Sequence, residues 1–379
     1  MWRIALKMLI GDRAKYLGLI FGITFATLLM SQQVSIFIGL LSRTSNQIRS
    51  VTEAEFWVMH PLVKYFDEVV AMPDRDLNRV RGVEGVKWAV PFFKGLAQAR
   101  PDAGKLQQVV LLGVDDATLI GRPKRMVLGQ WEDIRKPDAV VIDRDGYAFI
   151  WPGEPLKLGR VLEINDRRMV IVGICETLPP FLTFPIMYAK YSDAITVTPG
   201  ERNKMTFVIG QAQEGIRIED LTQRITQQTN LQALSSHDFI WRSINHYLTR
   251  TGIPINFGIT VTLGFLIGAA IAGQTFYIFV LENLKQFGAL KAIGVTSFQI
   301  LRMVLLQALV VGIMGYGIGI GLATAFFTAT EDVPALRGFF LPWEVAAGTA
   351  GAVAMIVLIA SLASIRKVFV LDPAIVFRG

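Results

Sequence analysis

Four stretches without a charge decide what this chain can fold into. There are 27 uncharged residues between Lys15 and Arg43, and 31 between Arg250 and Glu282. There are 28 between Arg302 and Glu331, and 21 between Glu344 and Arg366. Each exceeds the roughly 20 residues that a helix needs to cross a bilayer core. These runs account for the 52% apolar content and the positive mean hydropathy, both high for a soluble globular chain. The reading is a membrane α-helical protein with four transmembrane helices. A large α+β extracytoplasmic domain is inserted between helices 1 and 2.

Orientation follows from the basic residues beside the spans. The first fifteen residues hold Arg3, Lys7, Arg13 and Lys15 against Asp12. The connection over 282–302 holds Lys285, Lys291 and Arg302 against Glu282, and the tail holds Arg366, Lys367 and Arg378 against Asp372. The loop over 331–344 has Glu331, Asp332 and Glu344 against Arg337 alone. Both termini and the central connection are therefore expected in the cytosol, and the long insert outside. That insert, about 42–255, is nearly neutral, with 27 basic and 25 acidic residues. The net charge of +7 thus sits mostly in the flanks of the spans, which argues against nucleic-acid binding. A single cysteine, Cys175, excludes an intrachain disulfide. The first apolar run is too long for a signal peptide and lacks a cleavage pattern, so it is expected to stay as a signal anchor.

Taken in order, the divisions are an amphipathic cytosolic helix (1–15), span one (16–42) and the outer domain (43–250). Span two (251–281), a cytosolic connection (282–297), span three (298–330), a short outer loop (331–344), span four (345–365) and a cytosolic tail (366–379) complete the chain. Trp2, Ala5, Leu6, Leu9 and Ile10 fall at helical spacing, which suggests a helix lying in the interface. Thr24, Thr27, Ser31 and Ser35 line one side of span one, with Gln32 and Gln33 near, and are expected to face another helix. In the insert, β-rich runs at Val86–Phe93, Gln108–Val114, Ala139–Asp143, Val161–Asn165, Met169–Ile174 and Met205–Gly210 alternate with turn residues. Asp74–Arg81 and Ile216–Thr229 read as helices. The run Pro179-Pro180-Phe181 with Phe184-Pro185 is an apolar loop suited either to a partner or lipid contact or to a buried turn. Gly264, Gly268, Gly315 and Gly319 sit at the small-xxx-small spacing that lets membrane helices approach closely. Span two is longer than a bilayer needs, so a rigid rod from the outer domain to the cytosolic connection is expected.

The connection Glu282–Ser297 carries nearly all the charge of its region. Gly288 and Gly294 space it as a short helix, a break and a restart, with Thr296 or Ser297 able to cap the next helix. As residues alone, it reads equally as an ordinary topology-setting loop or as a segment for a cytosolic partner. Glu282 followed by Phe287-Gly288-Ala289-Leu290-Lys291-Ala292-Ile293-Gly294 resembles the E-x-G-x-L-K/R-A-I-G signature of the MacB/LolC/FtsX-type ABC transporter permeases. Arg79-Val80-Arg81-Gly82-Val83-Glu84-Gly85-Val86 before Pro91 is similar to the entry of that family's periplasmic core domain. Leu371-Asp372-Pro373 through Arg378 is similar to its ending. The length and the Phe377-Arg378-Gly379 terminus look most like the DevC-like exporter permeases.

The resemblance implies a non-catalytic permease subunit of an ABC exporter. The chain has no G-x-x-x-x-G-K-[S/T] loop, so ATP and Mg would be bound by a separate ATPase, and this chain would bind no cofactor. His60, His237 and His246 lack metal-ligand or triad spacing, and no metal or catalytic residue is expected. Glu282, Leu284, Lys285, Phe287, Gly288, Leu290, Lys291, Ile293 and Gly294 would couple to the ATPase, the apolar ones by contact and the lysines by charge. The implied partners are that ATPase, a second permease copy (identical or related), a membrane fusion protein with an outer-membrane channel, and membrane lipid. ATP-driven closure of the spans would be relayed outward, by mechanotransmission, to move a lipid, glycolipid or peptide-like substrate from the bacterial inner membrane. Two other readings within the family are LolC-like lipoprotein release and FtsX-like control of a cell-wall hydrolase. A third, outside it, is a non-ABC membrane receptor. Many relatives carry Glu where this chain has Gln307, so any role for a buried acid in span three is in doubt here.

Overall fold

The computed structural model describes residues 2–11, 13–101, 104–198, 205–331, 333 and 336–369, and the chain divides into two compact units. Unit one, residues 1–39 and 252–379, is helical; unit two, residues 40–251, is the insert. The chain opens with α1 (Trp2–Gly11) and α2 (Arg13–Arg43), then α3 (Asn46–Ser50) and the strand β1 (Phe56–Met59). Next come α4 (Arg75–Arg81), β2 (Val86–Pro101), β3 (Gln107–Val114), β4 (Arg125–Gly129), a 3-10 turn, β5 (Ala139–Asp143) and α5 (Arg144–Ile150). The insert continues with β6 (Val161–Ile164), β7 (Arg167–Glu176), β8 (Ile186–Lys190), α6 (Tyr191–Val197), β9 (Phe207–Ala212), α7 (Ile218–Thr229), β10 (Gln232–Ser235) and α8 (Ser236–Arg250). The chain ends with α9 (Ile253–Glu282), α10 (Leu284–Ala292), α11 (Ser297–Ala329) and α12 (Trp343–Phe369).

Four helices are long and apolar enough to cross a membrane: Tyr16–Arg43, Ile253–Glu282, Ser297–Ala329 and Trp343–Leu362. Their seams explain the polar and small residues in the spans. Thr27, Ser31 and Ser35 are fully buried, and the Thr24 hydroxyl donates to the Gly315 carbonyl at 3.2 Å. A methyl added at Gly315 would lie 2.8 Å from Ile23, and one at Gly319 would lie 2.6 Å from Thr27. Gly268 is similarly tight against Ala26, whereas Gly264 meets Leu29 and Met30 only at ordinary contact distance. Of the α1 residues at helical spacing, two have described side chains. Ala5 and Leu9 are buried, Leu9 within the core of unit one, and α1 packs on α11. Gln307, itself fully buried, donates from Nε2 to the Ala5 carbonyl at 2.7 Å. An ionised glutamate there could not make that bond. The side chains of Trp2, Leu6 and Ile10, and the tail motif over 371–378, lie outside the described residues.

Unit two is built on one ten-stranded sheet in the order β10-β1-β9-β2-β3-β8-β5-β7-β4, with β6 joining β2 and β7. The expected run Val86–Phe93 is only the first half of β2. That half pairs with β9, and Phe93–Ala99 goes on to pair with β3. The first and last strands of the insert lie side by side, with Phe56 opposite Ser235. Trp57 anchors one side of the sheet, with the rings of Phe66, Phe92, Phe207 and Phe239 all within 5.8 Å of it. Span two, expected as a rigid rod leading to the connection, is the single unbroken helix α9 from Ile253 to Glu282. Helix α8 stops at Arg250, Thr251 is extended (φ −121°, ψ 160°), and α9 starts afresh after Gly252. Pro254 near the start of α9 has no N–H and cannot continue a helix from upstream.

Candidate functional site

The connection between α9 and α11 is a closed piece of local structure. Helix α9 ends at Asn283, whose side-chain amide donates back to the Phe279 carbonyl at 2.8 Å. The Phe287 N–H then bonds the Asn283 carbonyl at 2.9 Å and starts α10. Gly294 ends α10 at φ +95°, with its N–H on Lys291 O (3.0 Å) and the Val295 N–H on Leu290 O (3.0 Å). That pair of bonds is the Schellman termination, which calls for glycine because a Cβ is strained at this φ. Leu290 and Val295 pack against the core of unit one and supply its usual apolar contact. Thr296 caps α11 at once. Its hydroxyl accepts from Gln299 N at 3.3 Å, and Gln299 Oε1 accepts from Thr296 N at 3.0 Å. This reciprocal pair is a capping box. A helix stop and a helix start thus occupy four consecutive residues.

This geometry revises the set of residues able to touch a partner. Phe287 is fully buried in the core that also holds Phe276, Phe279 and Ile300, and Gly288 is buried beside it. Neither is available for docking. A buried Phe contributes roughly 2–3 kcal/mol, so Phe287 anchors α10 to its own chain. Leu284, Leu290 and Lys291 are half-buried, and Glu282 and Lys285 are exposed. Ile293 is 78% exposed, and Phe298, which the sequence reading did not single out, is 57% exposed. The Arg302 guanidinium lies over the Phe298 ring at 4.6 Å, which stiffens that ring as a platform. The exposed residues of the connection and the start of α11 are therefore Glu282, Lys285, Gln286, Ala289, Ala292, Ile293, Gly294, Thr296, Phe298 and Gln299.

The insert holds a polar centre with no signal in the sequence. Lys94 projects from β2 and is 5% exposed; its ammonium donates to the Phe66 carbonyl (3.1 Å) and to the Asp67 carboxylate. It also lies 4.0 Å from the centre of the Phe66 ring. Tyr247 of α8 donates to the other Asp67 oxygen at 3.1 Å. Burial lowers the Lys94 pKa against the opposing pull of Asp67, and burial beside Asp67 raises that of Tyr247. The histidines are structural: His246 stacks on Tyr65 at 4.1 Å, His237 accepts from the Trp241 indole, and His60 accepts from Leu62 N. Among the described residues, no group of three or more His, Cys, Asp or Glu could hold a metal ion.

Four helices long and apolar enough to cross a membrane, with a mixed-sheet domain inserted after the first, define a multi-pass membrane protein. Residues 16–228, more than half the chain, match the family model for the MacB-like periplasmic core domain, and residues 258–373 match that for the FtsX-like permease C-terminal region. The chain belongs to the MacB/FtsX-type ABC transporter permeases. It is similar to an uncharacterized ABC transporter permease of Mycobacterium tuberculosis, 24% identical over 96% of this chain and 93% of that one. It is also similar to the macrolide export ATP-binding/permease protein MacB of Salmonella paratyphi A, 20% identical over 55% of this chain and 32% of that one. Among solved structures, the periplasmic region of MacB from Actinobacillus actinomycetemcomitans is 14% identical. It covers 52% of this chain and 95% of that one, with a TM-score of 0.39.

Proposed function

We propose that this permease is the membrane subunit of an ABC exporter whose ATPase is a separate chain, and that α10 with its capped turn is where the two meet. The observation that carries the proposal is Ile293. A large aliphatic side chain 78% exposed, at the end of a helix locked by two capping motifs, suits a hot spot for a partner. Glu282 and Lys285 supply charge at its rim. The ATPase binds ATP and Mg, and its closure moves α9 and α11, which leave the turn in both directions. Two permease copies stand on an ATPase dimer in the bacterial inner membrane, with both termini cytosolic. The cargo is a lipid, glycolipid or peptide-like molecule passed outward to a membrane fusion protein and an outer-membrane channel. The sparseness of charge within the spans agrees with a machine that passes no polar solute through them.

The test is gentle extraction of the tagged protein from its native membrane and identification of the chains that come with it. A small ATPase should accompany the wild type, and Ile293→Asp should weaken that association at least ~30-fold, as for a hot spot of 2 kcal/mol. Absence of any ATPase, or full retention by Ile293→Asp, would overturn the proposal.

A further inference from the structure

The apolar loop Pro179–Pro185 takes part in a cavity of about 380 Å³ within the insert. This size is within the range of small-ligand sites. Its polar lining comes from Arg43, Gln47, Asp67 and Lys94, and its apolar lining includes Val69, Leu96, Phe181 and Leu182. The loop is tied down by the Asn46 amide, which donates to the Pro179 carbonyl at 2.8 Å, and by Phe181 against Tyr247 at 4.6 Å.

Two polar groups here have unused capacity. Lys94 has three donors and two acceptors, Phe66 O and Asp67. Gln47 is 8% exposed, and its Oε1 has no donor among the described residues. A buried acceptor without a donor is costly to keep, and a ligand that supplies the donor removes that cost. The lining carries two cation side chains, Arg43 and Lys94, alongside the carboxylate of Asp67, and the Asp145 charge also acts on Arg43. The distribution of polarity is inverted: Arg43, Gln47 and Lys94 are buried and Asp67 half-buried, while Val69, Leu96 and Leu182 are 40–51% exposed. An ordinary surface has the opposite arrangement. Arg43 is also the last residue of the first candidate span.

We propose that this cavity binds the headgroup of a membrane phospholipid. The phosphate lies against Arg43 and Lys94, a headgroup hydroxyl or ammonium donates to Gln47 Oε1, and an acyl chain runs over Val69, Leu96 and Leu182. The assignment narrows the cargo class proposed above and rests on the exporter reading for its role in transport. Binding itself can be measured without an ATPase.

The probe is phosphatidylglycerol with a photoactivatable diazirine in its acyl chain, doped into phosphatidylcholine nanodiscs that hold the full chain. Choline offers no N–H or O–H donor to Gln47, whereas glycerol does. Labelling is expected on peptides containing Leu96 or Leu182, and it should fall at least tenfold in Gln47→Leu and in Lys94→Met. Because Lys94→Met leaves Asp67 with only Tyr247 and can misfold, Leu96→Trp provides the second variant. It fills a half-exposed rim position, and it should lose labelling while unfolding at the wild-type temperature. Labelling confined to the membrane helices, or unchanged in Leu96→Trp and Gln47→Leu, would overturn the proposal. Competition by soluble glycerol phosphate equal to that by unlabelled lipid would also overturn it, in favour of a free phosphate ester. Loss of the ATPase with labelling intact would sink the exporter reading alone.

Discussion

The seam between α2 and α11 permits a quantitative test on a single helix. Alanine at Gly319 would place its methyl 2.6 Å from Thr27 Cβ and 2.8 Å from the Thr24 carbonyl oxygen. Favourable carbon contacts lie at about 3.5–4.0 Å, so the deficit is roughly 1 Å. Part of it falls on backbone, which has no rotamer to change. The helices must separate locally, which also strains the Thr24 hydroxyl bond to Gly315 one turn away. Overpacking of this kind costs about 1–3 kcal/mol, and the helix propensity of alanine over glycine returns up to about 1. A net loss of about 1–2 kcal/mol is expected. Gly317 and Gly321 provide controls on the same helix, because an added methyl at either finds no atom within 4 Å. Reversible unfolding of the detergent-solubilised protein should therefore rank Gly319→Ala below wild type, with Gly317→Ala and Gly321→Ala equal to or above it. Gly264→Ala, with its nearest atoms at 3.5 and 3.6 Å, should behave like the controls. Equal stabilities for Gly319→Ala and Gly317→Ala would refute the close-packing argument.

Gly294→Ala should cost about 1–2 kcal/mol through backbone strain alone, since φ is +95° and the space around it is empty. Gly294→Asn should cost less, and identical melting of Gly294→Ala and wild type would rule out the Schellman assignment. Asp143, at the end of β5, is pushed up to about 7, first by burial, with Ile186 N–H and Gly146 N–H pulling down and the Asp145 charge pushing up. A carboxyl raised on folding contributes stability that is complete below its unfolded value near 3.8 and is lost as pH climbs through about 7. The stability of wild type minus that of Asp143→Asn should thus decline between pH 4 and 7, by at most about 1.4 kcal/mol per unit, and then level off. A difference that stays constant with pH would show that Asp143 does not titrate in this way.

The parts of the fold legible in the sequence were those governed by a one-dimensional rule. A charge-free run long enough for a bilayer needs no tertiary knowledge, and the β-rich runs at Ala139–Asp143 and Gln108–Val114 are strands because branched residues between turns have few other uses. Strands β1 and β8 were missed for a related reason. Buried on both faces, Phe56–Met59 and Ile186–Lys190 show no alternation by which to tell them from any short apolar run. Helix α8 was overlooked although its N-cap, Ser235 accepting from Asp238 N, lay in plain sight. At the turn between α10 and α11 the break and the cap were readable, because Gly294 acts through its own backbone and Thr296 through its own hydroxyl. The inward face of α10 was not, since Leu284, Phe287 and Leu290 could all belong to one stripe and nine residues do not reveal which side is core. The pairing of Lys94 with Asp67 spans 27 positions, and only the fold brings them together.

The pairing of β1 with β10 has a consequence for synthesis. Phe56, Trp57, Val58 and Met59 are all fully buried, held between β9 and β10, yet both neighbours are encoded near the far end of the insert. At 5–20 residues per second, the ~180 residues separating Phe56 from Ser235 take roughly ten to forty seconds to emerge. For that interval a bare apolar strand has two open edges and no partner, an invitation to pair with a neighbouring nascent chain. The insert cannot close its sheet piecemeal from the N-terminus. Its yield in the cell should therefore depend on chaperone supply and growth temperature more steeply than its equilibrium stability would suggest.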